Sequence, residues 1–454
     1  MAKFTLQEVC EATGAYVNSD EEILFSGVCT DTRKIKQGDL YVALQGENFD
    51  GHQFAAEAAQ KGAAGIIAAK EITLDIPVFK VRDTLAALQA LAKFHRLRFS
   101  IPVIAITGSN GKTTTKDMVA AALASSYHVL KTQGNFNNEI GLPLTLLQLT
   151  QEHQAAVVEM GMRGLGQIRE LMRIACPTHG IVTNVGETHM ELLGSLEAIA
   201  AAKGELVEDL PETATVFLNY DNEYVRQMDV LAKGKVVFYG CDPASDVQAL
   251  GNTYQNGRTR IDLRTREGNW QLEIPVVGRH NVYNAMAAVA VAEALGVAKE
   301  KIAAGLSSLE LSAMRLHVER RGAFCIINDA YNASPMSMLA ALDALKEVSI
   351  GRRVAVLGDM LELGEVAAEA HARVGQYAVQ SGVEVLIALG PWAKHLAHAA
   401  KCDARSVVVY WTESPSEAKA FLRQTLQAGD TVLLKGSRGM RMEQMMEVFE
   451  PCSK

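Results

Sequence analysis

The chain lacks paired cysteines. Cys10, Cys29, Cys176, Cys241, Cys325, Cys402 and Cys452 include no C-x-x-C pair, so neither a zinc site nor a disulfide framework is suggested. It also lacks excess positive charge. Forty-four Lys and Arg stand against 52 Asp and Glu, a net charge of −8 with no basic stripe, which argues against a nucleic-acid partner. Long apolar runs are missing too. The most apolar helical stretch, 285–298, is cut by Glu293 and is too short to span a bilayer. The opening MAKFTLQEVC has no signal-peptide layout. These absences lead us to expect a cytoplasmic protein with no membrane insertion. No short-period repeat or low-complexity tract occurs.

What is present is globular: 48% hydrophobic and 21% charged residues suit a packed chain rather than a disordered one. Its 454 residues are too many for one ordinary core, and about three domains is the prior. An anionic small substrate would have to be held by local Lys, Arg and backbone N–H groups.

The most informative stretch is 101–117, IPVIAITGSNGKTTTKD. Ile101 to Ile106 reads as a buried strand rich in β-branched residues. Gly108, Ser109, Asn110, Gly111, Lys112, Thr113 and Thr114 follow, and then a helical pattern with Met118, Val119, Ala122 and Leu123 on one face. Strand, glycine loop and helix make a phosphate cradle: glycines let the backbone wrap an anion, and the helix start favours negative charge. Lys112 would reach the terminal phosphates and the Thr113 hydroxyl would ligate Mg²⁺. The loop is shorter than the usual G-x-x-x-x-G-K-[ST], because Ile106 stands five before Gly111.

The fold expected is α/β in three parts. Residues 1–98 show a mixed α/β pattern, with a strand at 40–46, a helix at 52–65, a strand from Gly65 and a helix at 85–96. Residues 99–312 alternate strands (101–106, 155–160, 180–185, 216–220, 235–240) with helices (165–175, 281–296), the signature of a parallel sheet. Residues 313–454 start a second doubly wound rhythm, with strands at 324–329, 353–359, 384–390, 406–411 and 431–436 and helices at 336–348, 365–381, 391–400 and 415–428.

Parallel sheets bind ligands at the carboxyl ends of their strands. Lys112 and Thr113 follow one strand of the central part, Glu159 ends another, and Glu187, Thr188 and His189 follow a third. Glu159 and Thr113 offer the oxygens that Mg²⁺ prefers. His189 is an unusual Mg²⁺ ligand, and alone would read as exposed or capping. Asn281 and Asn284 share a helix face, where asparagines ordinarily cap. Ser195 suits the N-cap of the next helix, which makes Lys203 helical and ordinarily solvated. GNFNNEIGLP (134–143) alone reads as a turn. NDAYNASP (328–335) and KGSRGMRME (435–443) each put polar groups directly after a strand.

Taken in order, TGSNGKTTTK, GNFNNEIGLP, VVEMGM, GIVTNVGETHMELLGS, GRHNVYNAMAA, INDAYNASP, VLGDMLELG and KGSRGMRME resemble the Mur ligases of peptidoglycan synthesis, and among them the members that add D-alanyl-D-alanine. The resemblance extends to DTRKIKQGDLYVALQGENFDGHQF near the N-terminus. Asn328, beside Asp329, stands where a second aspartate is expected.

The resemblance implies an ATP-dependent amide ligase that acts on UDP-N-acetylmuramoyl tripeptide and D-alanyl-D-alanine. It implies a monomer with a substrate-binding N-terminal domain, a central P-loop-type parallel-sheet ATPase domain and a C-terminal Rossmann-like domain. ATP would be held by Gly108 to Thr114, with Asn281 and Asn284 at the adenine and Arg315 and Asp329 at phosphate and ribose. Two Mg²⁺ ions would be held by Thr113 and Glu159, and by His189 with Lys203, which falls where related ligases carry a carbamylated lysine. Lys112, His189 and Lys203 would be the catalytic set. Substrate would be met by Asp31, Arg33, Gly46, Asp50 and His52 in the N-terminal domain, by Asn137 and Asn138, and by Tyr331, Asn332, Lys435, Ser437 and Arg438. The alternatives are another Mur-type ligase (adding diaminopimelate or lysine), folylpolyglutamate synthase, a P-loop nucleotide switch, or a non-catalytic scaffold.

Overall fold

Three larger sheets, beside a two-stranded pair of Phe4–Thr5 with Leu24–Phe25, divide the chain, seen here in a computed structural model that describes residues 2–17, 22–46, 49–255, 257–312, 314–403 and 407–450. Near the N-terminus four parallel strands lie in the order Gly27–Cys29, Asp39–Val42, Gly65–Ala68, Val78–Lys80. The strand expected at 40–46 stops at Val42. The helix expected at 52–65 is a tight turn, Gly51–Phe54, followed by Ala55–Gln60. The cause is a sharp return: Gly62 takes φ +103°, a value glycine tolerates without strain, and it turns the chain into the next strand.

Helix Thr84–Arg96 is capped by Asp83, whose carboxylate accepts from the N–H groups of Leu85 and Ala86. Its buried face, including Leu88 and Leu91, joins one core with Leu142, Leu146 and Ile168 of the central part. The buried Arg96 guanidinium donates to the carbonyls of Ala175 (3.0 Å) and Cys176 (3.2 Å), at the end of helix Gln167–Ala175. A cation at a helix C-terminus meets its unpaired carbonyls.

The central sheet has nine strands. Six run Lys235–Gly240, Thr215–Asn219, His179–Val182, Val103–Thr107, Ala155–Glu159, Val129–Lys131, all parallel to their neighbours. Val103–Thr107 is wholly buried. The expected alternation of strand and helix breaks after Gly240, where Val247–Gln255, Arg258–Thr265 and Gly268–Ile274 form an antiparallel meander at the sheet edge. Arg258–Thr265 alternates strictly, with Thr259, Ile261, Leu263 and Thr265 buried and Arg260, Asp262 and Arg264 exposed, as a half-solvated antiparallel strand should. Helices Lys112–Ala124 and Arg279–Ala294 pack together over the buried side of this sheet.

The C-terminal sheet has six strands in the order His317–Arg321, Phe324–Asp329, Thr431–Lys435, Arg353–Gly358, Val385–Leu389, Val408–Thr412. Only the first pair is antiparallel. Among the described residues, no helix is long and apolar enough to cross a membrane.

Candidate active site

A cleft of about 1190 Å³ opens where the carboxyl ends of the central and C-terminal sheets face each other. Its central wall is the loop after Val103–Thr107. Gly108 has φ +148°, and a Cβ there would lie 1.9 Å from Thr183 Oγ1; Gly111 has φ +80°, and a Cβ would lie 2.7 Å from Asn284 Oδ1. Both glycines are therefore obligatory. Helix Lys112–Ala124 starts without a side-chain cap, so its first N–H groups remain available to an anion. The Thr183 hydroxyl (2.6 Å) and the Asn184 amide (3.0 Å) donate to the carbonyl of Asn110 and pin the loop. Ser109 Oγ donates to Gly186 O at 3.0 Å. Thr114 is largely buried and also lines the cleft.

Lys112 Nζ folds back onto Gly108 O at 2.6 Å. Burial pushes its pKa down, and the nearby Arg315 adds to this, while Glu159 opposes it. Thr113 Oγ1 donates to Glu159 Oε2 at 2.9 Å and accepts from Arg315 Nη2 at 3.1 Å. Asn137 Nδ2 donates to the other Glu159 oxygen at 2.7 Å. Asn138 instead accepts from the N–H of Gly141, opening helix Gly141–Leu146.

Arg315 is presented from a strained segment. Met314 and Leu316 on either side take φ +59° and +46°, a region L-residues seldom enter. The Arg315 guanidinium lies 3.9 Å from the Tyr331 ring centroid. Asp329 accepts from the N–H of Leu316 (3.1 Å) and from Lys435 Nζ, and Lys435 also donates to Asn332 O at 2.9 Å. Ser437 and Arg438 line the same wall. Asn328 caps the N–H of Ala330 instead of entering this network.

Asn281 and Asn284 share one helix face, as their spacing implies, and Asn284 Nδ2 donates to Asn281 Oδ1 at 3.0 Å. Both also bond within the protein: Asn281 donates to Val277 O, and Asn284 accepts from Thr115 Oγ1. Asn284 thereby ties this helix to the first turn of Lys112–Ala124, and both asparagines line the cleft.

His189, at φ +56°, places Nδ1 2.6 Å from Glu362 Oε2 of the C-terminal sheet's loops. Lys203 lies on helix Leu196–Glu208, which Ser195 caps. It is buried rather than solvated and forms no ion pair among the described residues. Burial, with Lys112 adding repulsion, holds its pKa well below the usual lysine value.

Lys203, Asp31, Arg33, Gly46, Asp50 and His52 do not line the cleft. Arg33 pairs with Asp31 at 2.9 Å and holds its carboxyl at about 2. His52 is occupied on both nitrogens, Nδ1 by Asp50 (2.6 Å) and Nε2 by the N–H of Ala69 (2.9 Å). Sequence reasoning did not single out Ser334, whose hydroxyl donates to Asn110 Oδ1 at 2.8 Å across the cleft. Its signal was available: a serine directly before Pro335 opens the next helix as N-cap. Glu362 and Arg373, which pairs with Glu187, were missed as well.

Family models match in the order of the three sheets: "Mur ligase family, catalytic domain" over 24–96, "Mur ligase middle domain" over 106–292 and "Mur ligase, glutamate ligase domain" over 314–438. A curated protein of Bacillus subtilis, UDP-N-acetylmuramoyl-tripeptide--D-alanyl-D-alanine ligase, is 38% identical over 98% of each chain. The chain belongs to the Mur ligase family. As a Mur ligase it superposes on a crystal structure of MurF from Acinetobacter baumannii with a TM-score of 0.92 and 31% identity, covering 99% of this chain and 100% of that one. MurF from Thermotoga maritima, solved in complex with ADP, gives a TM-score of 0.84 at 28% identity, covering 93% and 96%. Members of this family are ATP-dependent ligases.

Proposed function

We propose that this Mur ligase joins D-alanyl-D-alanine to UDP-N-acetylmuramoyl tripeptide at the expense of ATP, through an acyl phosphate. The observation that carries the reading is the split cleft: the phosphate loop belongs to one sheet, while Arg315, Asp329 and Lys435 face it from the other side. The curated Bacillus subtilis relative named for this reaction supplies the substrates.

A carboxylate does not react with an amine directly, because its leaving group would be an oxide. Attack of the carboxylate oxygen on the γ-phosphorus releases ADP and leaves an acyl phosphate. The amine nitrogen then attacks the acyl carbon, and phosphate departs as the C–O bond breaks. Phosphoryl transfer between anions requires charge neutralisation more than covalent help. Lys112 and Arg315 supply it from opposite sides: Lys112 swings off the Gly108 carbonyl to the terminal phosphates, and Arg315 is already at Thr113.

The donors around Thr113 fit Mg²⁺. The described residues hold no group of three or more His, Cys, Asp or Glu suited to a metal, but one carboxylate and one hydroxyl beside a phosphate cradle are what Mg²⁺ needs, since it keeps waters and phosphate oxygens for its other positions. We assign one ion to Thr113 and Glu159 and a second to His189 and Lys203. Bound there, Mg²⁺ would neutralise charge on the polyphosphate. Lys203 fits carbamylation in one respect: its buried amine is held toward the neutral form, the form that adds carbon dioxide. The proposal further takes residues 1–98 as the UDP-substrate domain, 99–312 as the ATP domain and 313–454 as the ligase domain of a monomeric, cytoplasmic enzyme. A phosphate-release assay over a panel of nucleotide-muramoyl peptides and amines tests it. Preference for diaminopimelate or lysine as the amine would select another Mur-type ligase, and hydrolysis without acceptor a nucleotide switch.

A further inference from the structure

We propose that Asp117 is the positioning residue for Arg315: it fixes the start of the segment that carries this guanidinium to the phosphate loop. The inference rests on the nucleotide role given to Arg315 above. Arg315 lies between the central and C-terminal sheets, and its segment is held by one carboxylate on each side. On the C-terminal side Asp329 accepts from the N–H of Leu316 at 3.1 Å. On the central side Asp117 Oδ2 accepts from both the hydroxyl (2.7 Å) and the N–H (3.1 Å) of Ser312. Asp329 faces the cleft, whereas Asp117 does not line it.

Asp117 sits on helix Lys112–Ala124 and is buried at 1% exposure. Its other oxygen, Oδ1, is met by Lys131 Nζ at 2.9 Å and by Lys116 Nζ at 3.3 Å. Burial pushes its pKa up, but the two lysines and the Ser312 hydroxyl outweigh burial and hold it below the ordinary carboxylate value. Asp117 therefore meets Ser312 as a carboxylate, and hydrogen bonds to an ionised acceptor are the stronger kind. Lys116 is also secured by the carbonyl of Thr132 at 2.9 Å.

The spacing makes this carboxylate an anchor for Arg315. Thr113 and Asp117 stand four apart on one helix, so they share a face and lie about 6 Å apart along its axis. Ser312 and Arg315 stand three apart in the chain, a span of at most about 11 Å. Ser312 is tied to Asp117, and Arg315 Nη2 donates to Thr113 Oγ1 at 3.1 Å. The segment thus runs back along the helix toward the phosphate loop, with both ends of its path on one helix face. Met314 and Leu316 take left-handed backbone, which persists only where its surroundings fix it. Asp117 and Asp329 supply that restraint from the two sides. With Ser312 released, Arg315 keeps its charge but loses the fixed origin from which it reaches Thr113. A cation set in place beforehand stabilises developing phosphoryl charge far better than one that must be ordered first.

The test is the affinity of the full chain for β,γ-methylene ATP with Mg²⁺, measured by isothermal titration calorimetry without turnover, alongside kcat/KM for ATP in phosphate release. Ser312→Ala removes one hydroxyl and almost no volume. It is expected to weaken binding of the analogue about 10-fold, the lower end of what a hydrogen bond to a charged group contributes, and to lower kcat/KM in parallel. Ser312→Thr, which keeps the hydroxyl, should bind as the parent does. Asp117→Asn should lose at least as much as Ser312→Ala, because its amide cannot accept from Ser312 without turning its NH₂ toward the two lysines; Ser312→Ala decides if that variant does not fold. The deciding step repeats Ser312→Ala in an Arg315→Ala background. There it should cost less than about twofold, because nothing remains to be positioned. A 10-fold loss in both backgrounds would mark a merely structural contact and overturn this inference alone, as would a folded Ser312→Ala that binds like the parent. Arg315→Ala with unchanged affinity and kcat/KM would overturn the nucleotide role of Arg315 and this inference with it.

Discussion

Arg315 Nη2 donates to Thr113 Oγ1 at 3.1 Å, and that hydroxyl in turn donates to Glu159. A residue next to the C-terminal sheet thus reaches the first turn of the phosphate-loop helix. The proposed function makes Arg315 the contact through which a nucleotide at the glycine loop is sensed by the C-terminal part. Arg315→Ala is expected to weaken compaction on ATP and tripeptide binding, measured by small-angle scattering, as well as turnover. Compaction equal to that of the parent protein would contradict this role.

Lys112→Ala should fold and fail. Its ammonium is expected to neutralise charge on the transferring group, an effect worth about 2.7–4 kcal/mol, or roughly 10²–10³ in rate, for a comparable electrostatic donor. Circular dichroism should be unchanged, while single-turnover phosphate transfer drops. A near-normal rate in a folded variant would remove Lys112 from the chemistry.

Lys203→Met should lose activity yet gain stability at neutral pH. The folded state holds the Lys203 pKa well below the usual 10.5, so it binds fewer protons than the unfolded chain there. Wild-type stability at this group therefore rises with pH up to about 10.5. The advantage of the methionine variant is greatest at low pH and shrinks as pH rises. Denaturant titration across pH 6 to 10 in bicarbonate-free buffer checks the sign, and ¹³C-bicarbonate NMR checks for a carbamate signal that the variant lacks. A stability gap that widens with pH would contradict the buried neutral amine.

The sequence made the local parts of this protein legible. The run 101–117 carries strand, loop and helix in one stretch, and each local signal agrees, so the boundaries fell within about two residues. The meander 247–274 was missed although Arg258–Thr265 shows period-two alternation in its residues, because a run of βα units before it set the wrong expectation. His52 was read as a substrate residue, and the structure shows both its nitrogens occupied within its own domain. Glu362 lies inside the run VLGDMLELG, but nothing local marks it as a contact residue. Its significance depends on His189, 173 positions away in the chain, and a loop glutamate looks the same whether or not a histidine from another domain lies against it.

The central claim is best tested by phosphate release with both substrates and with each alone. The account predicts release that requires ATP, UDP-N-acetylmuramoyl tripeptide and D-alanyl-D-alanine together, with one pentapeptide formed per phosphate. Equal release from ATP alone, or with no dependence on D-alanyl-D-alanine, would contradict it.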